Sequence, residues 1–314
     1  YVSLRDQRCM QITIPPLPEQ RAIAGILGAF DDRIELNRRT NETLEGIARA
    51  LFKSWFVDFD PVREKMARKG KGTQRKGAET QGRRGGGWPD HVLELFPDEF
   101  EESELGEIPR GWKVESFVKN IDVIGGGTPK TSIPEYWGGD IPWFSVADTP
   151  RPGEVFVIKT DKSITEAGVR NSSTRILPTG TTIISARGTV GNLALVGVPM
   201  AMNQSCYGLR DLRNGHGYYV YFSAAAAVKV LRQRTHGSVF NTITKDTLRS
   251  IQVTVPPERV VAAYESHVHV LLQQILSNLH ESRLLTGLRD TLLPKLISGE
   301  LRVPDTELIV GRCV

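Results

Sequence analysis

One stretch of this sequence occurs twice, and the repeat constrains the fold before any single residue is read. Gln11-Ile12-Thr13-Ile14-Pro15-Pro16 returns as Gln252-Val253-Thr254-Val255-Pro256-Pro257; since 252 minus 11 is 241, the copies stand 241 residues apart. At that offset Ile34 falls on Ile275, Asn37 on Asn278, Leu44 on Leu285, Gly46 on Gly287 and Leu51 on Leu292. Each copy reads as a short strand, a Pro-Pro stop and then a long helix, because alternating apolar and polar residues suit a strand and proline cannot continue its ladder.

The first helix is predicted from about Pro18 to Phe56. A seam passes through Ile23, Leu27, Phe30, Ile34, Asn37, Asn41, Leu44, Ala48, Leu51 and Trp55, stepping 4-3-4-3 as a coiled-coil stripe does. The second copy gives Tyr264, Val268, Leu271, Ile275, Asn278, Ser282, Leu285, Arg289, Leu292 and Leu296, with Pro294 expected to kink or end it. Both seams turn polar at the same place, Asn37 and Asn41 in one, Asn278 and Ser282 in the other. A buried Asn lowers stability but fixes register, so these four are read as alignment marks; the other reading leaves them facing solvent on loosely packed helices.

Two regions lie between the repeats. Residues 63–87 carry nine Lys and Arg among Gly, Gln and Thr without a hydrophobic period, and are read as a disordered basic loop that either touches phosphates or is a solvated linker. Residues 94–107 then invert the charge with Glu94, Asp98, Glu99, Glu101, Glu102, Glu104 and Glu107. From Pro109 to Pro257 short apolar runs alternate with Gly and Pro turns, among them residues 121–125, 182–185 and 193–196, with one apolar helix near Tyr218–Arg234. This predicts a mixed α/β domain of ordinary size. The expected divisions are 1–17, the last strand of a preceding domain; 18–60, a first helix; 61–108, a basic then acidic linker; 109–257, the mixed domain; 258–299, a second helix; and 300–314, a tail.

The chain of 314 residues suggests one or two globular units, and 40 basic against 36 acidic residues leave a net charge of +4, which permits nucleic-acid binding without demanding it. No run approaches the roughly 18 apolar residues of a membrane span. The three cysteines, Cys9, Cys206 and Cys313, are scattered without a C-x-x-C, which points to a reducing cytosol and against a disulfide or zinc scaffold. Gly125-Gly126-Gly127-Thr128-Pro129-Lys130-Thr131 superficially resembles a phosphate loop, but Pro129 stands where the motif needs Gly. The six histidines form no metal pattern, and His267 and His269 point to different helix faces. Cys206 reads as a buried small hydrophobe. No catalytic motif and no metal ligand set emerges.

A polar, loop-rich surface remains. Lys130, Arg187, Gln204, His236, Ser238 and Asn241 are the candidate DNA-binding residues: Arg pairs with guanine and Asn or Gln with adenine on base edges. The alternative is that Asn203, Gln204, Gly237 and Ser238 only stabilise turns. Lys119, Arg170 and Arg175 are candidate phosphate contacts, which position a protein on DNA without specifying sequence.

The chain resembles the specificity subunit of type I restriction–modification systems. The resemblance is carried by Phe96-Pro97-Asp98 through Glu104-Leu105-Gly106-Glu107-Ile108-Pro109-Arg110-Gly111-Trp112 and by Gly126-Gly127-Thr128-Pro129. It continues in Tyr136-Trp137-Gly138-Gly139-Asp140-Ile141-Pro142-Trp143, Leu177-Pro178-Thr179-Gly180, Ser185-Ala186-Arg187-Gly188-Thr189-Val190-Gly191 and Asn203-Gln204-Ser205-Cys206. It implies an α+β fold: a mixed α/β target-recognition domain plus two long antiparallel, coiled-coil-like spacer helices. It further implies a cytoplasmic, non-catalytic subunit whose recognition domain reads one half of a bipartite site in double-stranded DNA. Such a subunit positions methyltransferase (modification) and restriction endonuclease subunits, and these, not the specificity subunit, use S-adenosylmethionine, ATP and Mg. A 39-residue helix spans about 58 Å at roughly 1.5 Å per residue. At about 3.4 Å per base pair, that bounds the separation of two reading heads at around 17 base pairs. The family has a further recognition domain before the first helix, where this sequence has only Tyr1–Pro16. On the resemblance the chain therefore carries the second of the two domains. Either it is incomplete, or it is a truncated member that self-associates, with the helices as the expected surface.

Overall fold

The structure, a computed structural model, describes residues 14–72, 87–213, 215–234 and 242–304. Its elements are α1 (Leu17–Phe56), α2 (Asp60–Gly72), α3 (Asp90–Leu93), β1 (Phe100–Ser103), β2 (Gly106–Pro109), β3 (Lys113–Ser116), β4 (Ile121–Gly125), β5 (Trp137–Phe144), β6 (Phe156–Val157) and β7 (Lys162–Ile164). After them come α4 (Glu166–Arg170), β8 (Thr182–Ser185), β9 (Leu193–Val196), β10 (Ala201–Met202), β11 (Cys206–Asp211), α5 (Gly217–Arg234), α6 (Lys245–Arg249), β12 (Gln252–Val255) and α7 (Glu258–Ser298). The chain divides into two compact units, residues 1–41 with 277–314, and residues 42–276. The long helices contribute segments to both.

In the first unit the two helix segments run antiparallel, with Asp31 meeting Arg289 and Arg33 meeting Glu281. The predicted seam forms the core: Ile23, Leu27 and Phe30 pack with Leu285, Leu292 and Leu296. The four polar seam positions meet in one layer. Asn37, Asn41 and Asn278 are at most 4% exposed. The Asn37 amide donates to Ser282 Oγ at 3.2 Å, and the Asn278 amide donates to Asn41 Oδ1 at 2.8 Å. Adding 241 to 37 gives 278, and subtracting it from 282 gives 41, so each bond is the image of the other under the sequence repeat. Asn37 also donates to Glu281 Oε2 at 2.8 Å, a contact whose counterpart position in the repeat is Thr40, so the repeat is matched at the Asn layer and not at its flank.

Pro294 does not end the second helix. It sits in the final turns, exposed, so the carbonyl it leaves unbonded faces water, while Leu292 and Leu296 on either side stay in the core.

The second unit holds the mixed α/β region. A five-stranded sheet in the order β4-β11-β8-β9-β6 has both faces covered, which is why its strands read as unbroken apolar runs. Ile184 and Leu209 lie under α5 with Val220, Ala224 and Val228. On the other face Ile183, Ala194 and Val196 pack with Phe144, Leu177 and Met200. A three-stranded sheet, β10-β5-β7, stands beside it, and β12 pairs with β3.

The stretch expected to be a linker is in part a built element. Residues 60–72 form α2, residues 90–93 form α3, and β1 and β2 make an antiparallel hairpin. The basic and acidic stretches neutralise each other: Arg68 pairs with Glu64 and Asp90, Lys69 with Asp98, and Lys65 donates to the Phe96 carbonyl. Apart from Glu64, one turn away, these partners lie 22 to 31 residues along the chain, so no local hydrophobic period betrays the helix. Residues 73–86 lie outside the described residues, as do residues 11–13 of the strand expected before Pro15; its last residue, Ile14, is exposed and not in a strand.

Phe59 ends the first helix's path. Its backbone is left-handed at φ 57°, a conformation that strains a non-glycine residue by roughly 1–2 kcal/mol. Its ring is nevertheless buried against Phe100 and Trp112. That turn delivers the chain into an aromatic cluster of Phe52, Trp55, Phe56, Phe96, Trp112, Tyr219 and Tyr264.

Glu265 on α7 accepts a hydrogen bond from the Tyr219 amide at 2.8 Å and so caps the start of α5. Burial, and secondarily Asp211, push its carboxyl up to about 7. A carboxyl raised in the folded state binds its proton there more tightly than in the unfolded chain, so it lowers stability as pH rises from about 4.5 to about 7. We expect E265Q, which keeps an acceptor and removes the charge, to unfold at a higher temperature than wild type at pH 8 and to match it at pH 5, with a difference on the order of 2 kcal/mol. Thermal melts at the two pH values check this; an equal loss at both would show that the charge of Glu265 is not what sets its effect on stability, contradicting the account.

Candidate nucleic-acid interface

Strand direction gathers the polar loops. Both β4 and β8 run antiparallel to β11, so the residues after β4, after β8 and before β11 emerge at one end of the sheet. The loop after β4 is pressed onto the turn before β11: the Gly127 amide donates to Met202 O at 2.9 Å and the Gly126 amide to Cys206 O at 3.3 Å. A side chain at Gly126 would place its Cβ 1.9 Å from Asn203 O, and one at Gly127 would meet Ser173 Oγ at 2.3 Å, so these glycines exist for close approach. Two indoles clamp the same loop, Trp143 Nε1 donating to Gly127 O at 3.0 Å and Trp137 Nε1 to Lys130 O at 3.3 Å. No helix starts after Lys130, as the phosphate-loop comparison requires; a short 3-10 turn, Pro134–Tyr136, follows.

Of the sequence candidates, the structure brings Lys130, Gln204 and Arg187 together at this end, all exposed. Thr128 Oγ1 donates to Gln204 Oε1. The Arg187 and Ala186 amides both donate to Ser205 O, and Arg187 bridges Thr242 in antiparallel fashion. Asn203 does stabilise its turn, its Oδ1 accepting from the Ser205 amide at 3.0 Å, whereas the Gln204 side chain reaches across to the neighbouring loop. Arg175 follows Thr174, whose hydroxyl donates to Met202 O, so it too belongs to this end. Among the described residues Lys130, Arg175 and Arg187 take part in no salt bridge. Arg170 is paired with Glu166 at 3.1 Å.

Lys119 does not join them. It precedes β4, whereas the loop follows it, and five residues of strand at about 3.4 Å each separate the two ends by roughly 17 Å. It lies 3.9 Å from Glu115. His236, Ser238 and Asn241 lie outside the described residues. The sequence places Thr128, Trp137 and Trp143 in the motifs that carry the family resemblance but assigns them no individual role, and it gives no signal for Ser173.

Cys206 is buried at the head of β11, and burial, with Asp148 nearby, pushes its thiol up to about 12, which removes it as a nucleophile. His267 lies against Trp55 and His269 against Tyr218. Among the described residues no group of three His, Cys, Asp or Glu could hold a metal ion, and no helix is long and apolar enough to cross a membrane.

The family model for the type I restriction modification DNA specificity domain matches residues 8–46 and 109–278, well over half of the chain. The chain belongs to this family. The matched segments run through much of both long helices and all of the loop-bearing sheet. The type I restriction enzyme HindI specificity subunit of Haemophilus influenzae is 29% identical over 321 residues, covering 93% of this chain and 69% of that protein. The MjaIX specificity subunit of Methanocaldococcus jannaschii is 32% identical over 163 residues, covering 50% of this chain and 37% of that one. In fold, the chain is similar to the S subunit of a type I restriction–modification system from M. genitalium, with a TM-score of 0.53 at 16% identity over 89% of this chain. It spans 61% of that subunit's length.

Proposed function

We propose that this chain is a sequence-specific DNA-recognition subunit, reading one half of a bipartite site in double-stranded DNA. In this reading it has no catalysis of its own and positions modification and restriction subunits, which supply the chemistry of S-adenosylmethionine, ATP and Mg. The observation that carries the reading is the cluster at one sheet end: Lys130, Arg175 and Arg187 carry charges without a salt-bridge partner among the described residues, beside the amide of Gln204, in a chain of the DNA-specificity family. Cations hold phosphates and amides read base edges, so the end has both halves of a reading head. The long antiparallel helices fit a spacer whose register is held by the Asn37, Asn41, Asn278 and Ser282 layer.

The rival reading, nonspecific binding through the basic stretch at residues 63–87, is disfavoured where that stretch is described. Arg68 and Lys69 are already neutralised, and Arg63 lies over the Phe100 ring. The test is duplex affinity of the full chain as a function of salt. Each neutralised phosphate contributes about 0.9 to the slope of log affinity against log salt. The triple variant K130A/R175A/R187A is expected to flatten that slope by about 2–3, and K119A to leave it unchanged. An unaltered slope in the triple variant would place the contact surface elsewhere.

A further inference from the structure

Gln204 stands at the tip of a turn whose backbone is fixed at four points. Asn203 N donates to Phe144 O, Cys206 N donates back to Asn203 O, and Ser205 O accepts from both Ala186 N and Arg187 N. A glutamine on such a platform still rotates about its own side-chain torsions, and an exposed one samples many orientations. Here it is caught from the side. Thr128 donates its hydroxyl to Gln204 Oε1, and Thr128 is itself held, because the flanking Gly127 and Lys130 carbonyls are clamped by Trp143 and Trp137. Engaging the amide oxygen leaves the Nε2 hydrogens as the free end of the group. They are presented in one orientation on the surface that carries Arg187 and Lys130.

In the major groove both purines offer N7 as an acceptor at the same place. We infer that Gln204, oriented by Thr128, is a specificity-determining residue that donates from Nε2 to the N7 of one purine in the recognised half-site. This rests on the DNA-reading function proposed above and adds which residue reads, which one aims it, and what it reads. Thr128 is a positioning residue: its hydroxyl does not touch the base but fixes the amide that does. An amide held in place loses less freedom on binding than a free one, which is the advantage a preorganised reader has.

The experiment compares the full chain with T128V, T128S and Q204A, each shown to melt like wild type, in selection from randomised duplex DNA. Duplexes of the selected sequence are then made with a 7-deazapurine at each purine in turn. Wild type and T128S are expected to require a purine at one position and to lose about five-fold in affinity when its N7 is replaced by carbon, the scale of one net hydrogen bond. T128V and Q204A are expected to enrich the same motif with that one position relaxed, and to be indifferent to the 7-deaza substitution there. If all four proteins share one preference at every position, or if T128S fails as T128V does, Gln204 is not aimed by the hydroxyl and the inference falls while DNA reading stands. If wild type enriches no motif, the underlying function falls with it.

Discussion

Trp55→Ala is expected to destabilise the 42–276 unit by about 3–5 kcal/mol, the range for emptying a large aromatic site in a packed core. Trp55 has no exposed surface. Its ring meets Phe56, Trp88, Phe96, Tyr264 and His267 within about 6 Å of their centres, so the cavity would be walled by side chains from α1, α7 and the segment around α3 that cannot all collapse into it. The indole N–H has no hydrogen-bond partner among the described residues. Trp55→Phe therefore removes an unsatisfied buried donor along with some volume, and is expected to lose less than about 1.5 kcal/mol. Denaturant unfolding of the two variants separates these. Equal losses would mean that the indole nitrogen, not the volume, matters.

Gly126→Ala carries the largest expected effect on recognition. Its new Cβ would sit 1.9 Å from Asn203 O, 2.6 Å from Asn203 C and 2.8 Å from Met202 O, all backbone atoms that cannot rotate away. The loop carrying Thr128 and Lys130 must part from the turn carrying Gln204. Overpacking of this kind lowers stability by about 1–3 kcal/mol. The displaced contacts of Gln204 and Lys130, each worth about 1 kcal/mol, would together reduce specific DNA affinity roughly thirtyfold. The neighbouring Gly125 supplies the control, since a Cβ there meets nothing within 4 Å and Gly125→Ala is expected to bind as wild type does. Quantitative binding to a selected duplex checks both; a Gly126→Ala protein that binds normally would detach recognition from this end of the sheet.

What the sequence made legible follows from how each element is held. The strands at 182–185 and 193–196 and helix α5 announced themselves because both faces of the sheet are covered and the burial is written into unbroken apolar runs. The seam was legible because a 4-3-4-3 stripe has one physical meaning. Helix α2 was not, because only its first turn, at Pro61 and Val62, is buried, while the rest meets Asp90 and Asp98 through exposed ion pairs, and a basic stretch looks the same whether or not its partners are built. At the polar end of the sheet, Lys130, Arg187 and Gln204 were legible as candidates because each lies in a loop next to a strand end, among glycine or polar turn residues. Which strand ends coincide is a matter of sheet order, and this is why the sequence could not separate Lys119 from Arg175, nor pair Thr128 with Gln204, 76 residues away.

Selection from randomised duplex DNA at near-physiological salt, by the full chain together with a type I modification subunit, tests the central claim most directly. The account predicts enrichment of one short motif by wild type and by Gly125→Ala, and its loss in Gly126→Ala. Binding that enriches no motif and simply fades as salt rises would leave only the electrostatic background of a basic protein and would contradict it.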